Sequence, residues 1–161
     1  MSKPNEDSKS EETTPEQMIA KGSISINDNV TFKYSHLVAN CFGHNYQGNQ
    51  KGEVKHPMEE GKSIWFPKFY SNAKMNNQIS DDGTEILEID SVPEKRQPYF
   101  DKVMKQGLFT RLVFPQFKDP SGGNHYRFMG EFKLDLEASS VDGGLLWRRV
   151  STSVKTYKNK K

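Results

Sequence analysis

"HYRFMGEFKLDLEASSVDGGLLWRRVSTSVKTY", His125 to Tyr157, decides the fold class. In its first part Phe128, Phe132, Leu134 and Leu136 fall on one face, with Arg127, Met129, Glu131, Lys133 and Asp135 on the other. That two-residue period belongs to a half-buried strand. "SSVDGG" then supplies a turn, and "LLWRRVSTSVKTY" resumes as a strand rich in β-branched residues, closing the chain.

Upstream, the same alternation recurs in short pieces. "SISINDNVTFKY" predicts two strands around Asn27-Asp28-Asn29, and "GTEILEID" predicts another after the turn Asp81-Asp82-Gly83. "KSIWFPKFY" predicts a strand interrupted by Pro67, which suits a sheet edge or a bulge. One segment, Pro93 to Gly107, has helical spacing, with a start near Pro98, a stop at Gly107, and Tyr99, Val103 and Met104 on one face. The expected architecture is mainly β, an α+β arrangement in which a small, strongly bent sheet or barrel carries one or two short helices.

At 161 residues the chain holds one domain, long enough to bury a core without disulfides. Residues 1 to 22 are rich in Ser, Glu, Thr, Pro and Lys and read as a disordered arm, leaving 23 to 161 as the domain. Within the arm, "TPEQMIAKG" has the signals of one helical turn: Thr14 as cap, Pro15 in first position and Gly22 as stop. The lone Cys41 excludes an internal disulfide, and "MSKPNEDSKS" lacks the apolar run of a secretory signal, so the expected compartment is the cytoplasm. Nothing in the sequence has the apolar length of a membrane span. Eighteen aromatic residues again favour strands.

Charge is unevenly spread. The first 22 residues carry three lysines against five acidic residues, whereas Trp147 to Lys161 holds six cations and no acid. A basic end of this kind attracts polyanions such as nucleic acid.

His36, Cys41, His44 and His56 lie within about twenty residues, but they lack the paired short spacings of a zinc site, so no metal is expected. Glu131-Phe132-Lys133, with Asp119 upstream, matches half of a Mg²⁺ nuclease signature. The same pattern arises on the exposed face of any antiparallel strand. The glycines of "PSGGN" and "DGG" are hairpin turns and do not form a phosphate cradle.

The remaining concentration lies in Lys62 to Asp90. Trp65, Phe66, Phe69 and Tyr70 offer faces for stacking a base, and Asn76 and Asn77 offer paired donors and acceptors for its edge. Asp82 would accept from an exocyclic amine, and Arg148 and Arg149, beside Trp147, would hold the flanking phosphates. For single residues the plainer reading is also natural: strand aromatics fill cores, and asparagine pairs occupy turns.

The closing hairpin, with Tyr126, Phe128, Gly130, Trp147 and Arg148 at the relevant positions, resembles that of small PUA-like modules, the superfamily that includes SRA and EVE domains. The resemblance implies a β-barrel that accepts a nucleobase, often modified, flipped out of the duplex into an aromatic cage. The resemblance also implies a link to bacterial restriction systems and phage defence. Here no nuclease or helicase domain accompanies the module, so an effector is expected on a separate chain.

The leading expectation is therefore a non-catalytic reader, free of cofactors, whose partner is nucleic acid, DNA in particular. A second reading is a phage or mobile-element protein that blocks a defence enzyme through exposed aromatics. A third is the Mg²⁺ nuclease of Glu131 and Lys133.

Overall fold

The computed structural model describes residues 13–69 and 75–160. The chain runs through α1 (Pro15–Lys21), β1 (Ser23–Ser25), a 3-10 turn (Ile26–Asp28), β2 (Thr31–Phe32), α2 (Ser35–Asn40), β3 (Glu53–Lys55), β4 (Lys62–Trp65), β5 (Met75–Ile79) and β6 (Glu85–Asp90). A second 3-10 turn (Pro93–Lys95) leads into α3 (Arg96–Gln106), followed by β7 (Thr110–Val113), β8 (Gln116–Lys118), β9 (Asn124–Arg127), β10 (Gly130–Leu134), β11 (Leu145–Ser151) and β12 (Ser153–Lys155). The mostly β expectation holds. The described residues contain three α-helices, one more than the upper expectation.

Seven strands in the order β3-β4-β7-β10-β11-β6-β5 form a curled half-barrel, antiparallel except for the β4–β7 pair. Strand alternation divides its side chains between two cores. Trp65, Ile86, Val113, Phe132, Leu134, Leu145 and Trp147 pack with Val103 of α3. Ile64 and Leu112 point the other way, into a cluster with Phe32, Phe42, Phe114 and Phe128.

Two small sheets lean on this frame, β2-β9-β8 and β1-β12. The three-stranded one is an extension of the large sheet, because β7 continues into β8 and β9 continues into β10. The expected single strand from His125 to Leu136 is thus broken at Phe128-Met129, and Gly130 (φ 130°) makes the break. A Cβ there would lie 2.5 Å from Arg149 Cδ and 3.1 Å from the Ser151 carbonyl oxygen, and the backbone itself is one that other residues seldom adopt. The kink sends Phe128 into one core and Phe132 into the other.

Other expectations need correction. β1 and β2 do not pair with each other around Asn27–Asn29; β1 pairs with β12 and β2 with β9. β4 is interior, flanked by β3 and β7, and ends two residues before Pro67, so the proline interrupts no ladder bond. Residues 13–22 are no disordered arm: Thr13 and Met18 are buried, and Thr156 Oγ1 donates to the Met18 carbonyl at 2.8 Å. Composition averaged over 22 residues hid a turn that buries one side of itself. Residues 1–12 lie outside the described residues.

The α1 signals read from sequence are all present: the Gln17 N–H donates to Thr14 Oγ1 (3.2 Å), the Thr14 N–H to Gln17 Oε1 (3.0 Å), and Gly22 closes the helix in the left-handed region. Thr14→Ala removes this reciprocal cap and is expected to cost about 1 kcal/mol. Urea unfolding at neutral pH checks it; a change below a few tenths would mean that α1 is held by packing alone.

Candidate functional site

On β6, Ile86, Glu88 and Asp90 all fall in the buried phase of the strand. Glu88, 2% exposed, lies under α3 and receives three donors. Arg111 Nη1 donates at 2.9 Å, Trp147 Nε1 at 3.1 Å and the Tyr99 hydroxyl at 2.5 Å. A carboxylate in such a place would be costly without partners, and these three supply them.

Arg111, on β7, is the centre of the network. It is 1% exposed, and its guanidinium sits 4.4 Å from the Trp65 ring centroid and 4.0 Å from that of Trp147. Its far side meets Glu53, with Nε 3.2 Å from Oε2 and Nη2 donating to Oε1 at 3.4 Å. The Nε contact is an ion pair without hydrogen-bond alignment. Ser63 Oγ donates to the same Glu53 carboxylate. Burial works against the charged guanidinium, but Glu88 and Glu53 outweigh it and hold Arg111 protonated above its ordinary range. Burial, reinforced by the Glu88 charge, likewise pushes the Tyr99 phenol up, so it remains a donor.

Asn77 of β5 stands opposite Glu88 in the ladder and shares its face. Its Nδ2 donates to the Lys68 carbonyl at 3.3 Å, whereas its Oδ1 is buried with no hydrogen-bond partner among the described residues. Beside the satisfied Glu88 carboxylate, this amide oxygen can act only as an acceptor. Phe69 is half-buried and packs against the same cluster.

The structure redistributes the residues expected to bind a base. Trp65, Phe66 and Trp147 are core side chains with no face turned to solvent, because strand alternation sends Trp65 and Trp147 onto Arg111 and sends Phe66 into the opposite core against Tyr126. Tyr70 lies outside the described residues. Asn76 is exposed, out of phase with Asn77. Asp82 organises its own turn, accepting from Ser80 Oγ, Thr84 N and Thr84 Oγ1, which hold its carboxyl at about 2.

Arg148 is occupied on the surface by Glu85 and by Asp135 (2.7 Å), so half of the expected cationic flank is already neutralised. Arg149 is half-buried, with Nη1 near the carbonyls of Gly83 (3.4 Å) and Met129 (3.5 Å). Of the expected set, Trp147 joins the buried network through its indole N–H to Glu88, and Asn77 stands beside it in the ladder without a hydrogen bond to it. Glu88, Arg111, Tyr99 and Glu53 were missed. The signal for Glu88 was present in "EILEID", where an acid occupies the same strand phase as Ile86.

The nuclease elements do not assemble. Glu131 accepts from Lys62 Nζ at 2.5 Å, and Lys62 is shared with Glu59 at 2.8 Å. Asp119 belongs to the β8–β9 turn and pairs with His125 Nδ1 at 2.5 Å. Among the described residues no group of His, Cys, Asp or Glu could hold a metal ion. Cys41 is buried, and burial pushes its thiol up, away from the reactive thiolate.

The curled seven-stranded half-barrel is consistent with the PUA-like class of folds. Residues 17–156 match the model of the SET and RING associated (SRA) domain, and the chain belongs to that family. Among solved structures it is similar to the 5-hydroxymethylcytosine-specific restriction enzyme AbaSI, with 36% identity and a TM-score of 0.85 over 91% of this chain. The match spans 46% of the AbaSI chain, somewhat less than half of that enzyme. No curated protein matches the sequence. No helix among the described residues is long and apolar enough to cross a membrane.

Proposed function

We propose that this chain binds DNA and reads a modified cytosine, hydroxymethylcytosine foremost, as the recognition module of a restriction or anti-phage activity whose cleavage is performed elsewhere, on another domain or a separate chain. The observation that carries the reading is the 36% identity over 91% of the chain to an enzyme named for that base. It acts where cellular DNA is, in the cytoplasm.

The buried polar network supports a pocket for a flipped base at Asn77. Cytosine presents an exocyclic amine, a donor suited to the unpartnered Asn77 Oδ1. Glu88 is held rigid one strand away by Arg111, Trp147 and Tyr99. Phe69 supplies a ring face for stacking, and Asn76 contacts the nucleotide from outside. Trp65 and Trp147 serve the site by clamping Arg111, with no contact to the base. Arg149 steadies the rim through the Gly83 and Met129 carbonyls.

The test is a binding panel of otherwise identical duplexes containing plain, methylated or hydroxymethylated cytosine. The hydroxymethylated duplex is expected to bind tightest, and Asn77→Ala to weaken it about tenfold, the equivalent of one well-aligned base contact. Equal affinity of the wild type for all three duplexes would overturn the reading.

A further inference from the structure

The outer face of β2-β9-β8 carries a polar cleft of about 350 Å³ lined by Thr31, Lys33, Asp119, Asn124, His125 and Arg127. Register explains the convergence. Thr31 faces Arg127 and Phe117 faces His125, while the alternate residues Phe32 and Tyr126 point into the core. Phe117 and His125 stack with centroids 5.3 Å apart and planes 19° from parallel, and the Arg127 guanidinium lies 5.4 Å from the Phe117 ring. That contact orders Arg127 against an aromatic surface while its donors stay in water. Lys33 and Arg127 are exposed, and neither makes an ion pair among the described residues. Asp119, the one acid of the lining, is taken up by His125.

The geometry points to this cleft as a second DNA contact, one that grips the phosphodiester backbone through Lys33 and Arg127. Two cations without an ion pair among the described residues, with hydroxyl, amide and imidazole groups around them, match phosphate oxygens. The cleft is also rigidly placed, because β8 continues the chain from β7 and β9 leads into β10, two neighbouring strands inside the large sheet. Met129 N still donates to the Val113 carbonyl at 2.8 Å across the kink. The surface is separate from the Asn77 network, which sits at the β6–β5 end of the sheet. Of the Trp147–Lys161 basic end singled out from sequence, Arg148 is committed to acids.

The inference rests on the DNA reading, and the experiment separates the two. Binding of a hydroxymethylated duplex is measured by fluorescence anisotropy over a salt series for wild type, Lys33→Ala/Arg127→Ala and, as a control of equal charge loss per site, Lys105→Ala on α3. Each phosphate contact contributes roughly 0.9 to the slope of log affinity against log salt. The double variant is expected to lower that slope by about 2 while keeping the preference for the modified duplex, with Lys105→Ala unchanged. Asp119→Asn, which removes the acid, is expected to tighten binding at low salt. An unchanged slope in a double variant that still prefers the modified duplex overturns this contact and leaves the base reading standing. A wild type that binds no DNA overturns both.

Discussion

Arg111→Met is expected to destabilise the protein by about 3 to 5 kcal/mol, the loss typical of leaving one member of a buried ion pair without its partner. Glu88 is 2% exposed and would keep its Trp147 and Tyr99 donors but lose the balancing charge. The two tryptophan rings would also lose the guanidinium packed between them. Urea unfolding of the single variant and of Arg111→Met/Glu88→Gln checks the cause. The double variant is expected to recover more than half of the loss, because a neutral amide needs no counter-charge. A single variant within 1 kcal/mol of wild type would mean that Glu88 finds compensation elsewhere.

Acid should unfold the protein through His56 before the carboxylates contribute. Burial pushes its imidazole down to about 4, with Lys62 and His44 pushing the same way and Glu59 opposing. Nδ1 accepts the Met58 and Glu59 N–H groups at 3.0 and 3.1 Å, so the proton resides on Nε2. Nε2 is buried with no hydrogen-bond partner among the described residues, and the ring meets Tyr157 edge-on at 90°. Protonation would turn Nδ1 into a donor against two donors.

The unfolded chain binds this proton near pH 6.5 and the folded chain only near pH 4, so stability falls as pH drops through that window and levels below it. The full effect is on the order of 3 kcal/mol. The lowered carboxyls of Asp28 and Glu59 add their own loss further down, because stability from a depressed acid disappears only as pH falls below its ordinary value. Unfolding free energies at half-unit pH steps, compared with His56→Gln, read the effect. A variant with the same slope as wild type between pH 6 and 5 would assign it to other groups.

Local structure was legible wherever one residue's chemistry dominated its neighbours. Thr14, Pro15 and Gly22 announced α1; Gly107 announced the end of α3; Phe132 and Leu134 announced the buried face of β10. What was not legible depends on partners distant in sequence. β1 and β2 look like two arms of one hairpin, yet their partners are β12 and β9, more than ninety residues away. Trp65 and Trp147 have the composition of a ligand cage. Only the arrival of Arg111 between them, on a third strand, makes them core.

The family was readable in the closing hairpin through Gly130, whose role is conformational and therefore local. Arg148 carried the same resemblance, but its charge is spent on Glu85 and Asp135, which no local reading could reveal. Asn77 and Asn76 were indistinguishable as a pair until the register set one opposite Glu88 and the other on the outside.

The pairing of β1 with β12 has a further consequence. Ser23 stands across from Lys155, the Thr156 N–H donates to the Gly22 carbonyl at 3.1 Å, and the Tyr157 N–H donates to the Cys41 carbonyl at 2.9 Å. Both ends of the folded body are thus fastened at one seam and emerge side by side. A unit joined upstream or downstream of this body would start from the same region of the surface, so the order of fusion could be exchanged with little change in where that unit begins.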